Sequence, residues 1–415
     1  MDIFSKEISS YSFDRLKKNN RKLRSPSIDI NTANEIIDLL MQADKPIAYV
    51  GGGILLANAS DELKAFVEHL SLPVAHSLMG KGAIPDNHQL LMGMSGFWGT
   101  ELVNRNCLNA DVIFAIGTRF KEADCSSWYS GYTFNIPDSK IIHIDIEASE
   151  IGRNYPTEIG VISDAKQALK LLLEIAKKKC PNGLKRDAKI EEISTFKKQF
   201  KQANQKMEQS NAFPMMPERI LADLRTAMPE DAIITTDVGW NKNGVGQQFD
   251  INIPGSILTP GGFATMGFGP SGAIGAKMAA PEKVVISLVG DGGFGQNPSV
   301  LATAVENQLG IVWIVMNNNA FGTIAGLQKA HYGLTYGTTF QGSASKPENN
   351  PDYAAIARAY GAQGIHISSA EELLPALFHA IESKLPTLIN VPMINNPTPT
   401  TGHWNILDIY SPDKN

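Results

Sequence analysis

The sequence predicts an α/β protein: two doubly wound parallel-sheet domains joined by a polar linker. Three observations carry that expectation. Apolar runs of strand length alternate with amphipathic helical stretches, the pattern of parallel strands buried on both faces. At 415 residues the chain is longer than one ordinary core accommodates. A stretch dominated by Lys, Glu and Gln, from residue 179 onward, interrupts the alternation, which then resumes.

The elements follow in order. Residues 1–30 are polar and irregular and read as an arm or linker. The first domain, 31–178, opens with a helical period over 33–43. A strand over 46–50 then runs into Gly51-Gly52-Gly53. A helix over 61–70, strands over 72–76, 111–116 and 140–146, and a helix over 165–178 complete it. Residues 179–212 are the linker, with a solvated surface helix. The second domain, 213–415, begins with a helix over 217–227 and a strand over 232–236. A strand over 283–289 then leads into Gly-Asp-Gly, a helix covers 299–307, and a strand over 311–316 leads into three asparagines. A helix over 353–360 and a strand over 387–391 close the series.

Composition narrows the partners. Apolar residues make up 43% and charged residues 19%, with a net charge of −5 and no extended basic block. Nucleic acid and anionic membrane are therefore not expected partners. No run reaches the roughly 18 apolar residues of a membrane span, and the first residues carry no apolar leader, so a cytoplasmic location is expected. Cys107, Cys125 and Cys180 show no paired spacing, which points to neither a disulfide framework nor a zinc site.

The chemistry concentrates at 290–322. A buried strand delivers Gly290-Asp291-Gly292 to its carboxyl end, where open α/β sheets bind ligands. Glycines let backbone amides approach phosphate oxygens. After 24 intervening residues come Asn317-Asn318-Asn319 at the end of the next strand. Parallel neighbours joined by one helix set Asp291 and Asn318 against one site. One carboxylate with one amide oxygen suits Mg²⁺, which completes its octahedron with water and phosphate oxygens. Gly-Asp-Gly or an asparagine run alone would be an ordinary turn. The pairing at one strand–helix–strand spacing points to a Mg²⁺–diphosphate site.

With that spacing the chain resembles the thiamine-diphosphate (ThDP) enzymes, and within them the acetolactate synthase-like decarboxylase–carboligase branch. The resemblance implies that Asp291, Asn318 and the backbone carbonyl of Ala320 ligate Mg²⁺. It implies a cofactor-binding set of Gly239, Asn241, Gly262, Met266, Gly290, Gly292, Gly293, Phe294, Asn318, Ala320, Phe321 and Gly322. The segment PGGFATMGFGPSGAIG, at 260–275, places Met266 where the family's methionine wedges the cofactor into a V shape. At 239–241 the branch usually has Gly-Gln-His, whereas this chain has Gly-Trp-Asn. Residues 323–345 are expected to cover the active site, with His331, Tyr332 and Tyr336 as candidates for substrate contact.

The first domain resembles the same branch's middle domain through YVGGGI, LMGKGAIPDNH and ADVIFAIGTRF. That domain holds FAD in acetolactate synthases, and ADP, the nucleotide end of coenzyme A or nothing in many relatives. After Gly-Thr-Arg-Phe, however, this chain reads Lys121-Glu122-Ala123-Asp124, where the flavin branch has Asp-Asp-Arg-Val-Thr-Gly. In the family a glutamate on an N-terminal pyrimidine-binding domain activates the cofactor. Nothing before Asn31 is long enough for that domain, and Glu306 sits on the wrong helix. The expectation is a split enzyme whose separate pyrimidine-binding subunit supplies the glutamate in an α2β2 heterotetramer. A truncated acetolactate synthase, or a ThDP-binding or regulatory protein without catalysis, is the alternative. A nicotinamide oxidoreductase is disfavoured, since no Gly-x-Gly-x-x-Gly opens a helix after the first strand.

Overall fold

The computed structural model describes residues 5–6, 24–340 and 351–395. The expected arm therefore lies mostly outside the described residues, as do 341–345 of the segment over the site and the chain beyond 395.

Two six-stranded sheets, parallel throughout, organise the chain. The first contains β1 (Ile47–Val50), β2 (Val74–His76), β3 (Leu91–Met94), β4 (Val112–Ile116), β5 (Lys140–Asp145) and β6 (Ile159–Ile162), in the order β3-β2-β1-β4-β5-β6. The second contains β7 (Ile233–Thr236), β8 (Ile257–Leu258), β9 (Val285–Gly290), β10 (Ile311–Asn317), β11 (Gln363–His366) and β12 (Thr387–Pro392). Its order is β11-β12-β10-β9-β7-β8.

Both sheets bury both faces, because successive side chains on a strand point opposite ways. In the first sheet Ala48, Val50, Phe114 and Ile116 join one apolar cluster, while Ile47, Tyr49, Ile113 and Ala115 join another. In the second, Ile286, Leu288, Val312 and Ile314 face one cluster, and Val285, Val289, Ile311 and Trp313 the other. Helices supply the covering layers by local rules. Asp29 accepts from the amides of Asn31 and Thr32 and starts the helix Ile30–Gln42, three residues before its apolar period becomes legible. That helix buries Ala33, Ile36, Ile37 and Leu40, one 3.6-residue stripe. Asp164 caps Ala165–Lys179, which ends on Lys177–Lys179 against the helix's negative pole.

Four strands have no counterpart in the sequence reading: β3, β6, β8 and β11. They are the four sheet edges. The polar stretch after 179 contains a 22-residue helix, Asp187–Glu208, of which Ile193 alone is fully buried. It leans on both sheets' units: Lys197 Nζ donates to the carbonyls of Asp86 and His88, and Asn204 Nδ2 donates to Gln248 Oε1. Asp86 completes the junction, pairing with Lys81 at 2.9 Å and accepting the Ile251 amide at 2.7 Å. Cys107 and Cys125 are buried free thiols, and Cys180 Sγ lies 3.1 Å from the Gly183 carbonyl. No helix of the described residues is long and apolar enough to cross a membrane.

Candidate functional site

The site forms where the second sheet reverses direction. From β7 the chain moves outward to the edge strand β8 and then returns past β7 to β9. At such a switch point the loops from neighbouring strands diverge and leave a crevice at the carboxyl ends. Register aligns those ends: Thr236 pairs with Leu288, and Gly290 with Met316.

The turn after β7 is fixed by its own side chains. Asp237 is fully buried, accepting from the amides of Val238 at 2.7 Å and Gly269 at 2.8 Å. Asn241 Oδ1 accepts from the Asp237 amide, and its Nδ2 donates to the Val238 carbonyl. Asn241 thus holds the turn's shape, with one Nδ2 hydrogen left over. Gly239, at φ +120° and ψ −163°, occupies backbone space that side-chain-bearing residues avoid.

After β9, Asp291 is 2% exposed. Its Oδ1 accepts from the Gly292 amide at 2.7 Å, while its Oδ2 is buried with no described partner. Burial pushes the carboxyl up to about 6, against the amides of Gly292, Asn319 and Ala320, which hold it down. After β10 the three asparagines diverge. Asn317 Nδ2 donates across the sheet to Asn390 Oδ1. Asn318 lines the cavity and donates to Asn395 Oδ1. Asn319 takes the left-handed turn position, at φ +55°, and donates to the Phe340 carbonyl.

These turns enclose a cavity of about 140 Å³, lined by Gly239, Asn241, Met266, Gly290–Gly293, Asn318, Ala320, Phe321 and Gly322. Val238 and Trp240, in the same turn as Gly239, and Thr323 and Ile324, at the start of the segment expected to cover the site, also line it. Met393 and Ile394 line it without having been anticipated, nor was the anchoring role of Asp237. Met393 and Ile394 follow β12, so the rule that ligands gather at strand carboxyl ends was the available signal.

Two residues of the expected cofactor-binding set fall elsewhere. Phe294 is fully buried in the core, its ring edge-on to Tyr353 at 5.8 Å, because the short helix Asp291–Phe294 turns it away from the cavity. Gly262 lies in an exposed turn at φ +64° with nothing near its Cβ position. Tyr332 and Tyr336 are 68% and 84% exposed, outside the lining. The side chain of His331 is outside what is described.

The donor set fits a hard cation bound to phosphate. Among the described residues no cluster of three His, Cys, Asp or Glu could hold a metal, and Asp291 is the one carboxylate in the lining. An orphaned, desolvated carboxylate oxygen, an amide side chain and a main-chain carbonyl leave Mg²⁺ open positions for diphosphate and water. In the first sheet the order also reverses, between β1 and β4, but the glycines there serve a different end. The Gly53 amide donates to the Gly117 carbonyl at 3.0 Å, and a Cβ on Gly51 would lie 2.1 Å from that oxygen. The two turns seal against each other, so this amide is no free donor for the diphosphate of FAD or ADP.

Comparison with known proteins agrees with this geometry. Residues 33–172 match the family description "Thiamine pyrophosphate enzyme, central domain", and 237–391 match "Thiamine pyrophosphate enzyme, C-terminal TPP binding domain". The chain is 34% identical over 365 residues to a probable acetolactate synthase large subunit of Methanocaldococcus jannaschii, covering 85% of this chain and 58% of that protein. It is 33% identical over 349 residues to the acetolactate synthase isozyme 3 large subunit of Escherichia coli K12, covering 83% and 58%. Against the acetolactate synthase large subunit of Buchnera aphidicola from Acyrthosiphon pisum it is 30% identical over 385 residues, covering 90% and 65%. The chain thus spans about three fifths of the length of these relatives.

Proposed function

The chain belongs to the thiamine pyrophosphate enzymes, carrying their central and C-terminal cofactor-binding domains, and from that premise we propose that it is the large subunit of a split ThDP-dependent lyase or carboligase. Its substrate is proposed as a 2-oxo acid, a 2-hydroxy ketone or an acyl-CoA, with acetolactate synthesis the nearest analogy. The observation that carries this reading is the buried, unpartnered Oδ2 of Asp291 beside a cavity walled by glycine turns.

In this proposal Asp291, Asn318 and the Ala320 carbonyl hold Mg²⁺. Gly239, Gly290, Gly292 and Gly322 leave room for the diphosphate, since a side chain at any of them would meet residues that line the cavity, and Gly293 belongs to the same turn. Met266 supports the cofactor's bent conformation from one wall. Bound ThDP supplies a carbon nucleophile for a carbonyl and a sink for the electron pair released on decarboxylation. The chain's own residues bind and orient. With Asp291 committed to the metal, no other acid or base among the described residues lines the cavity. We assign proton transfer to a group outside this lining, and a glutamate on a pyrimidine-binding subunit in an α2β2 assembly is the proposed source.

The test mixes this chain with a separately expressed pyrimidine-binding-domain protein, ThDP and Mg²⁺, and follows pyruvate consumption and native mass. Turnover with both proteins, at least about a hundredfold above either alone, is the expected result for a general acid–base group worth 10²–10⁴. Cofactor binding without turnover in any mixture supports a regulatory ThDP-binding protein instead. Failure of the chain to bind ThDP–Mg²⁺ under every condition sinks both readings.

A further inference from the structure

The 3-10 turn Leu78–Gly80, which follows β2 in the first domain, meets the second domain at glycines. A Cβ on Gly246 would lie 3.0 Å from Leu78 Cδ1, and one on Gly261 would lie 3.0 Å from Met79 Sδ. On its own side Met79 covers the glycine turn after β1, 3.2 Å from where a Cβ on Gly52 would stand. Met79 therefore sits between one glycine of each domain. An unbranched, polarizable side chain suits such an irregular gap, and glycine on both sides permits the approach.

Gly261 begins the loop that carries Met266 into the cavity. That loop holds three left-handed backbone positions, Gly262 at φ +64°, Ala264 at φ +51° and Gly267 at φ +86°. Ala264 has no glycine's freedom, so contacts from outside must over-determine its conformation. The far end has such an anchor, because Asp237 accepts from the amides of Gly267 and Gly269. Within the loop the Ala264 amide donates to the Gly261 carbonyl at 3.1 Å, and Phe263 is fully exposed and packs on nothing. The near end rests on Met79.

We infer that Met79 is a positioning residue: from the first domain it pins the start of the 261–267 loop and so sets where Met266 stands. What Met266 does there rests on the ThDP reading, whereas the pinning does not. The Leu78 amide, donating to Asp124 Oδ1 at 3.1 Å, keeps the 3-10 turn itself in place.

Hydrogen exchange on the full chain, with and without ThDP–Mg²⁺, tests this in the wild type, Met79→Ala and Met79→Leu. In Met79→Ala the amides of 261–267 should exchange about tenfold faster, while β9 and β10 keep their protection, since a lost local contact opens a local unit. Met79→Leu refills the gap and should return exchange to within about twofold. Unchanged exchange in Met79→Ala, a leucine variant as fast as the alanine one, or loss of protection across the whole second sheet overturns the assignment. ThDP protection of 239–241 and 290–293 in the wild type reports on the cofactor reading separately, so either idea can fail alone.

Discussion

Asp291→Asn is expected to make the cofactor-free protein more stable at pH 7 while abolishing ThDP–Mg²⁺ binding. The carboxylate is 2% exposed, one of its oxygens has no partner, and burial lifts it from 3.8 to about 6. A shift of that size corresponds to roughly 3 kcal/mol of preference for the neutral form in the folded state. The sign follows from linkage. A carboxyl raised on folding contributes stability that is fully present below 3.8 and is lost as pH rises through about 6. The metal-free wild type should therefore lose up to about 3 kcal/mol from this group between pH 4 and pH 7, and the asparagine variant none of it. Metal binding runs the other way, because a proton competes with the cation for the same oxygen. Affinity for Mg²⁺ should fall about tenfold per unit below pH 6 in the wild type. Denaturant midpoints at both pH values and calorimetric titration with ThDP–Mg²⁺ measure the two effects. An asparagine variant that is less stable at pH 7 would overturn the desolvation argument, and one that still binds cofactor within about twofold would remove Asp291 from the metal site.

The strands that the sequence displayed and those it concealed differ for one physical reason. Interior strands of a parallel sheet are covered on both faces, so β4 (VIFAI) and β10 (IVWIVMN) read as unbroken apolar runs. Three of the four edges lack that signature, and the fourth, β3, is a four-residue run interrupted by Gly93. β6 alternates buried and exposed residues, β11 reads Gln-Gly-Ile-His with no fully buried position, and β8 is two residues long. The helix Phe268–Ala279 was hidden by three glycines and a proline, which lower helix propensity without preventing a helix that packs on Ala273 and Ala276. The site was legible where backbone chemistry dictates residue type. The pairing of Gly290 with Met316 sets the Asp291 and Asn317–Asn319 turns side by side. It was illegible where three identical residues take different roles, since nothing in Asn-Asn-Asn says which amide crosses the sheet and which faces the cavity. Phe294 was misplaced for the related reason that a one-turn helix reverses side-chain direction within a few residues.

The adjacent glycines at 292 and 293 should respond in opposite ways to a single methyl group. A Cβ on Gly293 would lie 2.7 Å from Asp237 Oδ1 and 3.0 Å from Val289 Cγ2. Asp237 has nowhere to go, because its oxygens hold the amides of Val238 and Gly269. Moving it would free both the turn after β7 and the start of the helix Phe268–Ala279. Gly293→Ala should therefore cost about 1–3 kcal/mol of stability, the range for forcing a methyl into a packed interior. A Cβ on Gly292 instead meets Phe321 Cε1 at 2.7 Å and Met266 Cε at 3.2 Å, the far ends of two side chains. Phe321 is 36% exposed and has room to rotate. Gly292→Ala should leave stability within about 0.5 kcal/mol, as surface changes do. Its methyl nevertheless enters a cavity of about 140 Å³ where the diphosphate is proposed to lie. Loss of backbone approach to the phosphate should weaken ThDP about tenfold or more. Urea midpoints and cofactor titrations on the two variants separate these outcomes. If Gly293→Ala folds as stably as the wild type, Asp237 is not the fixed strut described above. If Gly292→Ala binds ThDP unimpaired, the diphosphate does not lie against that turn.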